Sequence, residues 1–164
     1  MAIESMPGDR HFETAVEDNT LVAFWTGQPT AERLEVMVEQ LQRVWRQHQT
    51  GVFLLNVITA DTGIPDAETR RVILGQFESM RNRLLAVAIV LEKSGIDATM
   101  SRAILSTLVT ISRRPFAMKV FSERAAAAAW LNKQGGAGAS AMIGVIRQLE
   151  GRLSTRMRLA TAGD

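Results

Sequence analysis

The stretch that decides the fold lies at residues 51–68. It reads Gly-Val-Phe-Leu-Leu-Asn-Val-Ile (51–58), then Thr-Ala-Asp-Thr-Gly-Ile-Pro (59–65), then Asp-Ala-Glu (66–68). An apolar run with one polar residue is typical of a strand that is covered on both faces of a parallel sheet. Pro65 suits the first turn of a helix, and Asp66 and Glu68 suit its positive end. The stretch therefore predicts a strand, a loop and a helix. The loop lies at the carboxyl end of the strand, where open α/β sheets bind ligands and partners.

The chain on either side continues with elements of the same kind. Apolar residues spaced as one helical face follow Thr30, which can cap a helix, and residues 84–91 form the most apolar run of all. We expect that run to be the central strand. The predicted elements are strands at 11–16 and 21–25, a helix at 30–48, a strand at 52–58, a helix at 65–82, a strand at 84–91, a helix at 98–112, a strand at 116–121, and a helix at 123–131 that Ser122 caps. This order predicts an α/β fold with a four- or five-stranded mixed, largely parallel sheet and about four helices.

The C-terminal part has a different pattern. Gln-Gly-Gly-Ala-Gly at 134–138 predicts a flexible linker, and residues 140–159 predict an amphipathic helix with four arginines. We predict a flexible N-terminus at 1–10, the α/β domain at 11–133, the Gly-rich linker at 134–139, and the amphipathic helix and tail at 140–164. The apolar stripe of that helix must be covered by its own domain, by a partner or second subunit, or by a membrane surface. The third option has the least support, since the helix has no aromatic residue.

Composition limits the compartment and the chemistry. The 164 residues are 46% hydrophobic and 22% charged, which is ordinary for one soluble domain. The absence of Cys excludes disulfides, thiolate catalysis and Cys-ligated zinc, and it fits a reducing compartment. Residues 1–13 lack the apolar segment of a signal peptide, and no run approaches the about 18 apolar residues of a transmembrane helix. We therefore expect a cytoplasmic protein without an integral membrane segment.

Charge and the two imidazoles argue against several functions. Residues 1–134 have no net charge, and the formal surplus of +2 lies in the tail. The sequence therefore gives the globular part no basic patch, which argues against nucleic-acid binding. Nothing in the sequence places His11 or His48 within reach of a nucleophile, and no His-x-x-x-His or Asp-x-Asp-x spacing predicts a metal site. Neither the stretch around Ser140 nor the glycines at 135–138 fit a nucleophile elbow or a phosphate loop. We therefore expect no catalytic residue, no metal and no cofactor.

Three segments resemble a known family. They are the hairpin followed by βα units, the strand and polar turn at 52–65, and Val-Phe-Ser-Glu (120–123) leading to Ala-Ala-Trp-Leu (128–131). Over residues 12–131 the chain resembles STAS-type domains, in particular their SpoIIAA-like branch in bacteria. The resemblance implies helices mainly on one side of the sheet. It also implies a non-catalytic protein–protein interaction or regulatory domain in a bacterial signalling or localisation system.

The resemblance also implies a site. In sigma-factor-antagonist members, a Ser or Thr in an Asp-Ser-Ser-Gly turn is phosphorylated by a partner kinase. Asp-Thr-Gly-Ile at 61–64 resembles that turn but is one residue short, and Pro65 follows at once. Thr62 is then the candidate phosphoacceptor, and Thr59, Asp61, Thr62 and Asp66 are the candidate partner contacts. Asp61 and Thr62 also fit ordinary helix-cap roles.

Three further hypotheses follow. Arg102, Arg113 and Arg114 flank the predicted helix at 98–112 and could contact an anion or an acidic partner, although solvated helix ends explain them too. A homodimer could form through the helix from Ser140 to Leu159. The alternative function is a carrier of a small apolar ligand or lipid, as in the related CRAL-TRIO architecture.

Overall fold

Five strands form one mixed sheet in the order β1-β2-β3-β4-β5. The structure is a computed structural model, and it describes residues 9–59, 65–92 and 116–163. β1 pairs antiparallel with β2, and the other neighbours are parallel. The mixed, largely parallel sheet predicted from the sequence is thus confirmed, but β3 and not β4 takes the central position. The strands are β1 (Phe12–Glu17), β2 (Thr20–Trp25), β3 (Val52–Ile58), β4 (Leu84–Leu91) and β5 (Ala117–Phe121).

Four helices accompany the strands in the described part of the chain. They are α1 (Ala31–Gln47), α2 (Ala67–Ser79), α3 (Arg124–Lys133) and α4 (Ala139–Thr161). Thr30 caps α1, and its side chain accepts a hydrogen bond from the backbone N of Arg33 at 3.3 Å. The beginnings of two other helices were predicted wrongly. Asp66 caps α2, so that Pro65 precedes the helix, and Glu123 rather than Ser122 is the N-cap residue of α3. The predicted helix at 98–112 lies outside the described residues.

The helices cover both faces of the sheet, which differs from the one-sided arrangement implied by the resemblance. On one face, α1 and part of α2 pack against side chains such as Leu21, Leu54 and Val87. On the other face, α3 and α4 pack against Val22, Leu55 and Ala88 among others. Because β2, β3 and β4 are covered on both faces, their sequences are continuously apolar rather than alternating.

The apolar stripe of α4 is buried against the chain's own sheet. Its members, each at most 2% exposed, are Met142, Val145, Ile146, Leu149 and Leu153. The preceding turn is tied to the β1–β2 hairpin, since the backbone N of Ala137 donates to Thr20 Oγ1 at 2.9 Å and Asn19 Nδ2 donates to the carbonyl of Gly135 at 3.0 Å. Of the three surfaces that could cover the stripe, its own domain is the one found.

Candidate functional site

The carboxyl ends of β2, β3, β4 and β5 lie at one edge of the sheet, because these strands are parallel. The antiparallel β1 begins at the same edge, since Phe12 pairs with Trp25. We call this region the carboxyl edge and define it by residues 9–13, 25–33, 58–59, 65–70, 91–92 and 121–124. Binding sites of open α/β sheets are found at such an edge.

Thr59 joins the ends of two strands. Its hydroxyl donates to the carbonyl oxygen of Trp25 at 2.9 Å, and its backbone N donates to the same oxygen at 3.1 Å. The residue is half-buried. The Thr59 hydroxyl thus has a structural partner at the carboxyl edge.

Asp66 lies at the beginning of α2 with an exposed side chain. Its Oδ1 accepts a hydrogen bond from the backbone N of Thr69 at 2.7 Å, and this bond holds the pKa of Asp66 below its ordinary value. The carboxylate therefore stays ionised and caps the helix while facing solvent. The other predicted site residues, Asp61, Thr62, Arg102, Arg113 and Arg114, lie outside the described residues.

A first ion-pair cluster at the carboxyl edge surrounds Arg124, the first residue of α3. Its guanidinium forms hydrogen bonds with Glu92, which directly follows β4, and with Glu150 of α4, at 2.7 Å from Nη1 to Oε2 of Glu150. The guanidinium carbon also lies 5.3 Å from the centre of the Phe24 ring. Hydrogen bonding to Arg124 lowers the pKa of Glu150, and the two carboxylates raise the pKa of Arg124. The cluster ties α3 and α4 to the end of β4.

A second cluster surrounds Glu13, whose side chain is 0% exposed beneath α4. Its Oε1 lies 3.2 Å from Nε of Arg152 and 3.3 Å from Nη2 of Arg156. Within the described ranges, the second oxygen, Oε2, has no hydrogen-bond partner. Burial of a carboxylate is costly unless it is paired, so these two guanidinium groups are the compensation that the fold provides.

A third ion pair continues the second cluster. Arg156 Nη1 donates to the backbone oxygen of Asp9 at 3.1 Å, and the Asp9 carboxylate accepts from Nε of Arg33 at 2.7 Å. We call the eight residues of the three groups the charge belt, and four acids in it face four arginines. Such pairs fix helices in position, and nothing in their arrangement implies proton transfer. The charge belt consists of Asp9, Glu13, Arg33, Glu92, Arg124, Glu150, Arg152 and Arg156.

The sequence analysis did not find the charge belt. The sequence contained one signal of it, because Glu13 places a charge within the short strand β1, at a position that faces α4. No periodicity connects Glu13 with Arg156, which lies 143 residues later.

Neither imidazole belongs to the charge belt. His48 follows α1, with Nε2 3.9 Å from Oδ1 of Asp18, and the exposed His11 packs beside Gly27. Among residues 9–59, 65–92 and 116–163, no three His, Cys, Asp or Glu side chains form a group that could hold a metal ion.

Comparison with known proteins shows to which family the chain belongs. A family model described as SpoIIAA-like matches residues 20–132. The chain belongs to the SpoIIAA-like family. This SpoIIAA-like chain is also similar to the crystal structure of an uncharacterised protein of the DUF3478 family, with a SpoIIAA-like fold, from Shewanella loihica PV-4. The two are 18% identical over 73% of this chain and 91% of that one, with a TM-score of 0.52, which shows a common fold. No curated protein matches the chain.

Membership confirms the resemblance to STAS-type domains. The SpoIIAA-like family is generally non-catalytic, and STAS-like folds commonly bind protein partners. The matched region begins at β2 and ends within α3, so β1 and α4 lie outside it. In the described part of the SpoIIAA-like chain, no helix has the length and apolar character needed to cross a membrane.

Proposed function

We propose that this SpoIIAA-like chain is a non-catalytic protein-interaction domain that regulates a bacterial signalling or localisation system in the cytoplasm. The contact surface in this proposal is the carboxyl edge together with the exposed face of α2. The family supports the protein partner, and the arrangement of α2 supports the surface.

The observation that carries the proposal is the shallow burial of α2. Among the helices described, α2 is the one that has no fully buried side chain, whereas α1, α3 and α4 each bury at least three. Val72, Ile73 and Phe77 are half-buried against the core, and Leu74 is half-buried outside both core clusters of the described residues. When a helix keeps apolar surface accessible in the folded domain, that surface is suited to contact with a protein partner.

The polar part of the proposed surface begins at Asp66. Its exposed carboxylate stands at the N-terminus of α2, next to the loop in which the sequence places Asp61 and Thr62. Phosphorylation of Thr62 would add charge close to that helix N-terminus, where a phosphate is stabilised by free N–H groups and the helix dipole. Arg102, Arg113 and Arg114 complete the proposal as contacts for an acidic partner.

Quantitative affinity capture from the native organism tests the surface. Asp66→Asn removes the charge but keeps a capping side chain, and Leu74→Gln removes the apolar contact. We expect each variant to lose the captured partner while its thermal unfolding stays close to that of the wild type. Glu39→Gln is the matched control, since Glu39 is an exposed acid of α1 that lies neither on α2 nor at the carboxyl edge.

Unchanged capture by both variants would show that α2 is not the contact surface. Phosphopeptide mass spectrometry of the same material tests Thr62 separately. A phosphate found elsewhere in the chain, with Thr62 unmodified, would remove it as the phosphoacceptor.

The alternative function, a carrier of a small apolar ligand or lipid, draws on the same shallow burial of α2. A ligand between α2 and the sheet would cover Val72, Ile73 and Phe77 in place of a partner. Native mass spectrometry of protein purified from its own cells separates the two hypotheses. A bound small mass that disappears on denaturation supports the carrier, and a clean mass of the bare chain supports the interaction domain.

A homodimer through the helix from Ser140 to Leu159 remains a further hypothesis. Since the apolar stripe of α4 is buried in its own domain, such a dimer would use the opposite face, where Gly144 and Gly151 lie. Light scattering of the purified chain measures this directly.

A further inference from the structure

Two aromatic rings meet beside β5, on the face of the sheet that α3 and α4 cover. Phe121 ends β5, and the centre of its ring lies 5.7 Å from the centre of the Trp130 ring in α3. Both side chains are half-buried and pack against the core cluster of that face. Since β5 is the last strand in the sheet order, the two rings form a partly accessible apolar surface at the side of the domain.

The indole of Trp130 has a hydrogen-bond donor that the fold does not use. Its Nε1–H has no acceptor among the described residues and is open to solvent. Trp25 differs, because its Nε1 donates to Oδ1 of Asn56 inside the domain. A tryptophan that combines an accessible ring with a free N–H group is typical of protein interfaces, where the ring is covered and the donor finds an acceptor.

Two lysines border the rings. Lys119 lies two residues before Phe121 on the same face of β5, with Nζ 5.4 Å from the centre of the Phe121 ring. Lys133 follows Trp130 by three residues, and residues at this spacing are neighbours on a helix surface. Both lysines are exposed, and neither forms an ion pair within the described ranges. Lys133 also suits the negative end of α3, but Lys119 lies in a strand and has no such role.

We propose that Lys119, Phe121, Trp130 and Lys133, which we call the aromatic patch, bind an acidic segment of a protein partner. An apolar side chain of this segment covers the two rings, its carboxylates pair with the lysines, and Trp130 Nε1–H donates to one of its oxygen atoms. The proposal rests on the proposed function in taking the partner to be a protein. It adds a surface on the opposite face of the sheet from α2.

Charge and depth favour a protein over a lipid surface. Glu123 is exposed seven residues before Trp130, on the same face of α3, and its side chain makes no cap bond. A partner segment can place its acids at the lysines and avoid Glu123, whereas a continuous anionic membrane would be repelled by it. The rings of Phe121 and Trp130 are also half-buried against each other. A side chain can cover them, but they cannot enter a bilayer as exposed aromatic anchors do.

The indole N–H signals of the full ¹⁵N-labelled chain give a direct readout of binding. The tryptophans are Trp25, Trp45 and Trp130, and Trp130→Phe assigns the signal of Trp130 by its loss. The probes are short synthetic peptides of Glu, Leu and Ser, with counterparts in which Lys replaces Glu or Ser replaces Leu. We expect the peptides with Glu and Leu to shift the Trp130 signal. The signal of Trp25 should stay in place, because that side chain is buried and bonded to Asn56.

Fluorescence anisotropy of the labelled peptides measures the affinity of each variant. Lys119→Gln and Lys133→Gln should each weaken binding by up to about fivefold, and added salt should weaken it further. Trp130→Phe keeps a ring without the donor and should weaken binding by about as much. Glu123→Gln removes only repulsion, so it should preserve or raise the affinity. Arg46→Gln is the matched control, since Arg46 is an exposed cation of α1 on the opposite face of the sheet.

The lysine variants change exposed side chains, so the test stands even if Trp130→Phe impairs folding. Equal losses for Lys119→Gln and Arg46→Gln would overturn the proposal. So would a Trp130 signal that no acidic peptide moves, equal binding of the peptides with Lys or without Leu, or a shift of that signal by vesicles of phosphatidylserine alone. Wild-type peptide binding by Asp66→Asn and Leu74→Gln keeps this test distinct from that of the α2 surface.

Discussion

Truncation after Lys133 should unfold the domain. The matched family region ends at residue 132, which makes the predicted domain at 11–133 look like an independent unit. In the structure, however, five side chains of α4 that are at most 2% exposed form part of the core between the sheet and α3. At about 1.5–3 kcal/mol for each buried side chain, their loss removes roughly 8–15 kcal/mol. Since a domain of this kind is stable by only about 5–15 kcal/mol, little or no stability remains.

Near-UV circular dichroism and urea unfolding measure the effect. We expect the truncated chain to lose its near-UV signal and its cooperative urea transition. Leu149→Ala tests the same contact more gently and should lower the free energy of unfolding by about 2–5 kcal/mol, whereas Gln148→Ala on the exposed face should change it little. A truncated chain that unfolds cooperatively at the wild-type urea midpoint would refute the reasoning. It would instead support the predicted division into a domain at 11–133 and a separate helix.

Three further predictions concern single residues. Because Arg124 lowers the pKa of Glu150, this carboxylate stabilises the fold above its unfolded pKa of about 4.3 and stops doing so as the pH falls through its lower folded pKa. Glu150→Gln should therefore be less stable than the wild type at pH 7, by at most about 1 kcal/mol given its exposure, and the difference should vanish in acid urea titrations. Gly51→Ala should destabilise by roughly 1–3 kcal/mol, since Gly51 has φ +128° and a Cβ would strike Leu85, whereas Gly151→Ala should stabilise α4 by about 0.5–1 kcal/mol because the space around it is open. Equal thermal shifts for the two glycine variants would contradict this. Glu13→Met should change the urea midpoint little, because Oε2 has no partner among the described residues and both arginines can reach water; a loss above about 3 kcal/mol would show that Glu13 is needed for stability.

The sequence was sufficient for the order of the described elements and for the largely parallel sheet. The apolar runs of β3 and β4 require cover on both faces, and the spacing of apolar residues in α1 and α4 marks their buried sides. The beginning of α2 was less certain, because Pro65 and Asp66 both suit the first positions of a helix and only the backbone shows which residue is the cap.

The site was less predictable, because it depends on register and on distant pairs. The hydroxyl of Thr59 bonds to Trp25 because β2 and β3 end level with each other, with Trp25 opposite Ile58. Pairing of Glu13 with Arg152 and Arg156 requires that α4 cross β1, and no local pattern contains that information. Sequence reasoning thus found the carboxyl edge as a place but did not find the ion pairs that connect it to α4.

The bond between Ala137 and Thr20 has a consequence for biosynthesis. The two residues are 117 positions apart, and at about 5–20 residues per second the ribosome needs roughly 6–23 s to make the intervening chain. During that time Val22, Phe24 and Leu55 have no α4 to cover them. Completion of the core must therefore wait until translation has passed residue 153, and the nascent chain exposes one apolar face of its sheet to chaperones and to its neighbours until then.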